Sequence, residues 1–402
     1  DFARAEEKFK LAAKGKPDEP RLRTSLALFD LARGRSEAGY SQLESVAASS
    51  TEPFADLALI SAKMQRKDLD GALKAADRLI AKLPGKPLPL VLRGRVLNQR
   101  RDVAGAKESF EKALAADPAF YTAAAELATL DVAEGKPESA IKRFEQVLAR
   151  DPQNYPALLG ISTIRTRMGG SADVIEASIQ DAIKASPKET IPRLALIDHH
   201  LAQRNAKKAV SVAQDALVVF PTDLQIQDAL ARAQLIAGDV QQAIAGFTKI
   251  AAAQPNTVQP LLRLADAHVA NSNYAAARRS VRRALELAPD NMVARRGLVA
   301  IELADKQVDE AIQVARGVQK RRPAESVGYV IEGEVHASQR AWDKAIAAYR
   351  AGLERDRSVQ MAMRLHAAYL SAQREPDAAK FASEWLQKNP ADAEFFGHLG
   401  ML

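Results

Sequence analysis

Residues 121–152 read YTAAAELATLDVAEGKPESAIKRFEQVLARDP. The pattern is that of two amphipathic helices meeting at a tight turn, Gly135-Lys136-Pro137, and closed by Asp151-Pro152. Proline has no N–H to continue a helix, so it punctuates the unit. The same unit is written along the whole chain. An alanine stands at one point of the second helix at Ala5, Ala38, Ala72, Ala106, Ala140, Ala209, Ala243, Ala277, Ala311, Ala345 and Ala379. The steps are of 34 residues, apart from one of 33 and one double step across a copy with Val174-Ile175 at that point. The closing proline keeps the same beat at Pro84, Pro118, Pro152, Pro187, Pro221, Pro255, Pro289 and Pro323.

A helix-turn-helix unit of this length resembles the tetratricopeptide repeat, and the resemblance covers essentially the whole chain. The copy over 87–119 matches the pattern of small and large residues with Gly94, Ala106, Phe110, Ala113 and Pro118. The copy from Leu224 matches it with Ala231, Ala243, Phe247 and Pro255. Small side chains let the two helices approach, and one large residue fills the gap toward the next copy. Copies begin near Glu19, Pro53, Pro87, Tyr121, Tyr155, Thr190, Leu224, Val258, Met292, Ser326 and Gln360. The resemblance therefore implies an all-α, right-handed superhelical solenoid of about eleven repeats.

Such a solenoid grows by adding units and needs no single core, which accommodates 402 residues. A composition 47% hydrophobic but only 5% aromatic suits helix-on-helix packing through Ala and Leu. No apolar run is long enough to span a membrane. With no cysteine, disulfides, Cys-ligated metals and thiol nucleophiles are excluded from this chain. Asp1-Phe2-Ala3 opens it without Met or a leader pattern, so it is expected to be an excised piece. Residues 1–17 read as a lone second helix. The tail from Glu394 reads as the opening of a further repeat.

Two places break the beat. The copy before Thr51-Glu52-Pro53 is rich in Ser and Gly and is expected to be less regular. Met168-Gly169-Gly170-Ser171 carries an extra residue. It reads either as a longer turn within one continuous solenoid or as a joint between two arrays, 1–168 and 169–402.

Chemistry is hard to find. His199 and His200 are adjacent, so they point about 100° apart on a helix and lack the i, i+4 spacing of a chelating pair. His200, His268 and His336 share one packing position. No nucleotide, hydrolase or zinc-protease motif is present. We expect no enzyme, no metal and no cofactor. The net charge of +7 divides 57 basic against 50 acidic residues, interspersed rather than clustered, which argues against nucleic acid.

Two surfaces remain. The resemblance implies that first helices line a concave groove, presenting Phe54, Leu57, Leu88, Arg95, Leu194, Asp198, Asp228, Arg232, Leu262, Asp266, Arg296 and Glu334. Their order predicts apolar sides with a charged ladder Asp198–Arg232–Asp266, serving either inter-repeat pairing or the grip on a partner peptide. Second helices line the convex side, where Arg278, Arg279, Arg282, Arg283, Arg321 and Arg322 make a basic patch. That patch is either a solvated face or a dock for anionic polysaccharide or lipid headgroups. The Lys/Asn set with which cochaperone tetratricopeptide modules clamp a C-terminal carboxylate is missing from the inward columns.

The phrases PRLALIDHHLAQRNAKKAVSVAQDAL (192–217), ARRGLVAIELADKQVDEAIQVARGVQKRRPAESVGYVIEGEVHASQRAWDKAIAAYRAGLE (294–354) and RLHAAYLSAQREPDAAKFASEWLQKNPAD (364–392) resemble the large tetratricopeptide lipoprotein of the bacterial exosortase/PEP-CTERM system. That resemblance implies a non-catalytic protein-interaction scaffold in exopolysaccharide production and envelope protein sorting. Its partners would be envelope proteins of polysaccharide synthesis or export, in the periplasm. The full-length protein would be anchored to the envelope through a lipobox cysteine outside this chain.

Overall fold

The computed structural model describes residues 19–400, so the helix expected over 1–17 lies outside the described residues. These hold 23 helices and no strand. They form eleven hairpins, from Pro20–Ala32 with Ser36–Ser49 to Val359–Ser371 with Glu375–Lys388, followed by the helix Ala393–Gly400. The chain divides into two compact units, the first ending at His199 and the second beginning at His200. Within each, a helix packs on its hairpin partner and on the next hairpin. First helices also touch first helices, as Tyr121–Ala133 touches Tyr155–Arg167 and Val258–Ala270 touches Met292–Ala304.

The core is a stack of small layers. Phe110 is fully buried with Ala106, Ala113, Ala123 and Leu127, and Phe144 is buried with Ala140, Ala157 and Ile161. The small residues are required by close approach: a methyl group on Gly94 would strike the Phe110 ring, and one on Gly333 the Tyr349 ring.

Every hairpin turns through one left-handed residue. It is glycine at Gly34, Gly135, Gly169 and Gly238, but Lys67, Arg101, Arg204, Ser272, Lys306, Arg340 and Gln373 hold the same conformation at φ of 55–66°. An amide just beyond the turn donates to a carbonyl five residues back, as Lys136 does to Asp131 at 2.8 Å and Gln307 to Glu302 at 2.7 Å. This helix-ending motif satisfies carbonyls the helix leaves open. A side chain in the left-handed region costs about 1–2 kcal/mol, so Lys306→Gly is expected to stabilise the second unit by about 1 kcal/mol. Urea denaturation checks this; an unchanged or lower midpoint would show that the turn carries no such strain. The extra residue near 170 leaves the motif intact, because Gly170 still donates to the Arg165 carbonyl at 2.9 Å. Ser171 is the addition, an extended residue before the helix Ala172–Ala185.

The Ser- and Gly-rich second helix is regular over Ser36–Ser49, contrary to expectation. Two contacts explain it. Gly39 lets the helix approach Leu31 and the Ala27 carbonyl so closely that a methyl group there would lie 2.8 Å from both. Lys82, from the next hairpin, donates to the Ala47 carbonyl and, at 2.9 Å, to the Ser50 carbonyl. The same ammonium meets Asp56 at 2.6 Å, and Arg78 meets the other oxygen of that carboxylate at 2.8 Å. Asp56 is 0% exposed. Lys82, held by that buried carboxylate, thus ties the first two hairpins together.

Three histidines of the second unit are held below their ordinary pKa, chiefly by burial. Arg279 adds to the effect at His268; Lys344 and Arg316 add to it at His336, where Glu332 opposes. At His366 the second cause is His398, whose ring nitrogen lies 3.1 Å away on the helix Ala393–Gly400. A depressed folded-state value means that the unfolded chain takes up protons first. Stability is full above the unfolded value of about 6.5 and falls as the pH drops below it. The melting temperature is therefore expected to decline from pH 7.5 to 5.5, and less steeply in a His336→Gln, His366→Gln variant. A flat or rising profile would contradict this.

Candidate functional site

The first-helix wall of the first unit carries a cavity of about 430 Å³. It is lined by Tyr121, Ala125 and Thr129 from one copy, Tyr155, Leu159 and Thr163 from the next, and Ile191 from a third. Phe144 reaches its floor from a second helix and stacks on Tyr121 with ring centroids 5.8 Å apart. Gly160 makes room for that ring, since a methyl group there would lie 2.6 Å from it. Burial raises the Tyr121 phenol pKa, with a further contribution from Tyr155, so the hydroxyl stays protonated. Thr129 and Thr163 donate to the Ala125 and Leu159 carbonyls at 2.8 and 2.9 Å. The result is a wall of rings and aliphatic side chains with little polar demand of its own.

The residues expected in the groove divide by unit. In the first, Phe54 and Leu88 are exposed at 42% and 39%, Leu57 and Leu194 are half-buried, and Asp198 is exposed. Arg95 is committed to Glu126 of the next copy at 2.5 Å. None of these lines the cavity, whose residues come from the neighbouring positions of the same columns. In the second unit Leu262 is half-buried, and Arg232 pairs with Asp228 one turn back at 3.3 Å. Asp228 also meets Arg263. Partners four apart on one helix are nearer than partners on stacked helices. Glu334 joins three successive copies, taking Arg296 at 3.0 Å on one oxygen and Arg364 at 2.9 Å on the other.

The basic patch is largely spoken for. Arg278 grips Glu302 at 2.8 Å and also Asp305, and Glu302 is only 3% exposed. Arg283 pairs with Glu286 at 2.7 Å, Arg321 approaches Asp290 at 4.0 Å, and Arg322 pairs with Glu325 at 3.1 Å. Arg279 and Arg282 stay exposed.

A polar column escaped the sequence reading, except for its histidines. Asp131, Arg165, His200, Gln234, His268, Glu302 and His336 stand one copy apart near the ends of first helices. Asp131 takes Arg143 at 3.2 Å, Arg165 donates to Ser178 at 2.6 Å, and Gln234 donates to Gln242 at 2.7 Å. With Glu302–Arg278 these bonds lock first helices to second ones, so the column is structural. Glu176 and His199 of the first unit place one potential ligand atom each within 4.8 Å, a convergence that sequence spacing did not reveal.

Two family models, both described as tetratricopeptide repeat, match residues 97–161 and residues 57–119, 194–256 and 262–326. Together they cover more than half of the chain. The chain belongs to the tetratricopeptide repeat family. Tetratricopeptide proteins are generally non-catalytic scaffolds that bind protein partners, and no enzyme family is indicated. No curated protein matches the chain. Among solved structures, yeast Tom70 is similar at 11% identity over 95% of this chain and 94% of that one, with a TM-score of 0.45. A tetratricopeptide repeat protein from Parabacteroides merdae is 16% identical over 65% of this chain and 98% of its own, at 0.41. A third, from the Cut9–Hcn1 hetero-tetramer of APC/C, is 15% identical over 100% and 93%, at 0.38. No helix among the described residues is long and apolar enough to cross a membrane.

Proposed function

We propose that this tetratricopeptide chain is a non-catalytic protein-interaction scaffold that holds a partner segment against the first-helix wall of its first unit. One observation carries the reading. From Tyr121 to Ile191 the wall is apolar and recessed, while the charges beside it, Arg95 and Glu126, are spent on each other. An extended or helical segment can exchange water for this surface without breaking an ion pair. The setting we propose is a bacterial exopolysaccharide or exosortase assembly, in the periplasm and lipid-anchored in the full-length protein. The phrases at 192–217, 294–354 and 364–392 support it. The competing reading, a polyanion on the basic patch, is weakened because four of its six arginines have carboxylate partners.

Affinity capture from an envelope extract, at low and at physiological salt, tests the proposal. A protein retained at both salts by the wild type and lost with Leu159→Glu supports it. Polysaccharide or lipid retained only at low salt would move the function to the basic face, because screening weakens exposed charge contacts and leaves apolar ones.

A further inference from the structure

We infer that the segment held at this wall is apolar and carries a carboxylate, seated at the Arg167 end of the cavity. The inference rests on the proposed function and specifies its partner. Arg167 is the one charged residue in the cavity lining, and it is exposed. It makes no ion pair among the described residues, whereas Arg95 and Arg143 of the same unit each have a glutamate, Glu126 and Glu111. It closes the helix Tyr155–Arg167, one turn beyond Thr163, so it stands at the border of the apolar surface.

The remaining lining sets the rest of the chemistry. Tyr121, Tyr155, Leu159 and Ile191 offer rings and branched aliphatic surface, which favour large apolar side chains. The Thr129 and Thr163 hydroxyl hydrogens are already given to backbone carbonyls, leaving acceptor oxygens toward the cavity. Those oxygens suit the amide N–H groups of a peptide and offer nothing to a second anion. A single free guanidinium beside an apolar wall also cannot neutralise a polyanion, which needs several cations along its length. An acidic, otherwise apolar peptide segment is the occupant that satisfies every group in the lining.

Panning a random heptapeptide phage library against the full chain tests this, with Arg167→Glu and Ala125→Glu variants whose fold is verified by circular dichroism. The expected result is enrichment of peptides with Asp or Glu next to large apolar residues. They should lose binding to Ala125→Glu, weaken roughly tenfold on Arg167→Glu, and recover with Arg167→Lys. Reselection on Arg167→Glu should favour Lys or Arg instead. Peptides that need an intact wall but show no acidic preference, or that ignore Arg167→Glu, would overturn the inference and leave the groove reading standing. Peptides binding Ala125→Glu as well as wild type, or no enrichment over it, would count against the groove reading itself.

Discussion

Asp56→Ala is expected to destabilise the first unit by about 3–5 kcal/mol, the cost of breaking a buried ion pair from one side. The carboxylate is 0% exposed and holds two cations, Arg78 at 2.8 Å and Lys82 at 2.6 Å. The Lys82 side chain is itself only 17% exposed. Removing Asp56 leaves both cations beside an apolar layer that includes Ala47, Ala55, Leu59 and Leu79. It also frees Lys82 to swing away from the Ala47 and Ser50 carbonyls, uncapping the helix Ser36–Ser49. In a stacked array the loss falls on the nearest interfaces, so amide exchange should quicken over residues 20–82 and stay unchanged over 103–167. Replacing all three residues with apolar ones, Asp56→Leu, Arg78→Met and Lys82→Met, should recover most of the stability, because no buried charge is then left unpartnered. A single-variant loss below about 1 kcal/mol in urea denaturation would show the cluster to be solvated.

Leu159→Glu is expected to weaken partner binding at least 100-fold while leaving the melting temperature within a few degrees. The side chain is half-buried and points into the cavity beside Tyr155 and Thr163. A carboxylate there removes an apolar anchor and must be desolvated when the partner docks. Losses of about 3–4 kcal/mol, which is 100-fold and beyond, fall within the range of central anchors in an interface. Arg282→Glu, on an exposed second-helix face, should change binding by about fivefold at most, since isolated exposed charges contribute about 0.2–1 kcal/mol. If the two variants behave alike, the binding surface lies elsewhere.

The repeat and its helices were legible because they rest on backbone rules. Proline ends a helix wherever it falls after the first turn, and Ala106 or Ala140 admits a close neighbour whatever the context. The left-handed turns were half legible. Gly135 and Gly238 announce them, whereas Lys306 and Gln373 adopt the same conformation only because the helices on both sides impose it. The polar column was there to be read, since Asp131, Arg165, Gln234 and Glu302 repeat as regularly as the alanines. It stayed hidden because its members differ in charge and share only the capacity to bond a second helix.

The site was less legible, and for a geometric reason. A column of residues tells which side chains share a wall but not which carboxylate an arginine will reach. Arg232 takes Asp228 on its own helix, while Arg296 and Arg364 cross to Glu334. The basic patch shows the same limit, for its position in the repeat does not reveal that Arg278 is drawn onto Glu302. The cavity itself depends on Phe144 entering beneath Gly160, a contact between copies that no single copy reveals.

Site-specific photocrosslinking tests the central claim most directly. A benzophenone side chain placed at Thr163, on the wall, and another at Arg282, on the second-helix face, would be irradiated in the native envelope extract. The account predicts one discrete protein adduct from the position of Thr163, abolished when Leu159→Glu is added, and none from the position of Arg282. Adducts from the position of Arg282 alone, or adducts at Thr163 indifferent to Leu159→Glu, would contradict it.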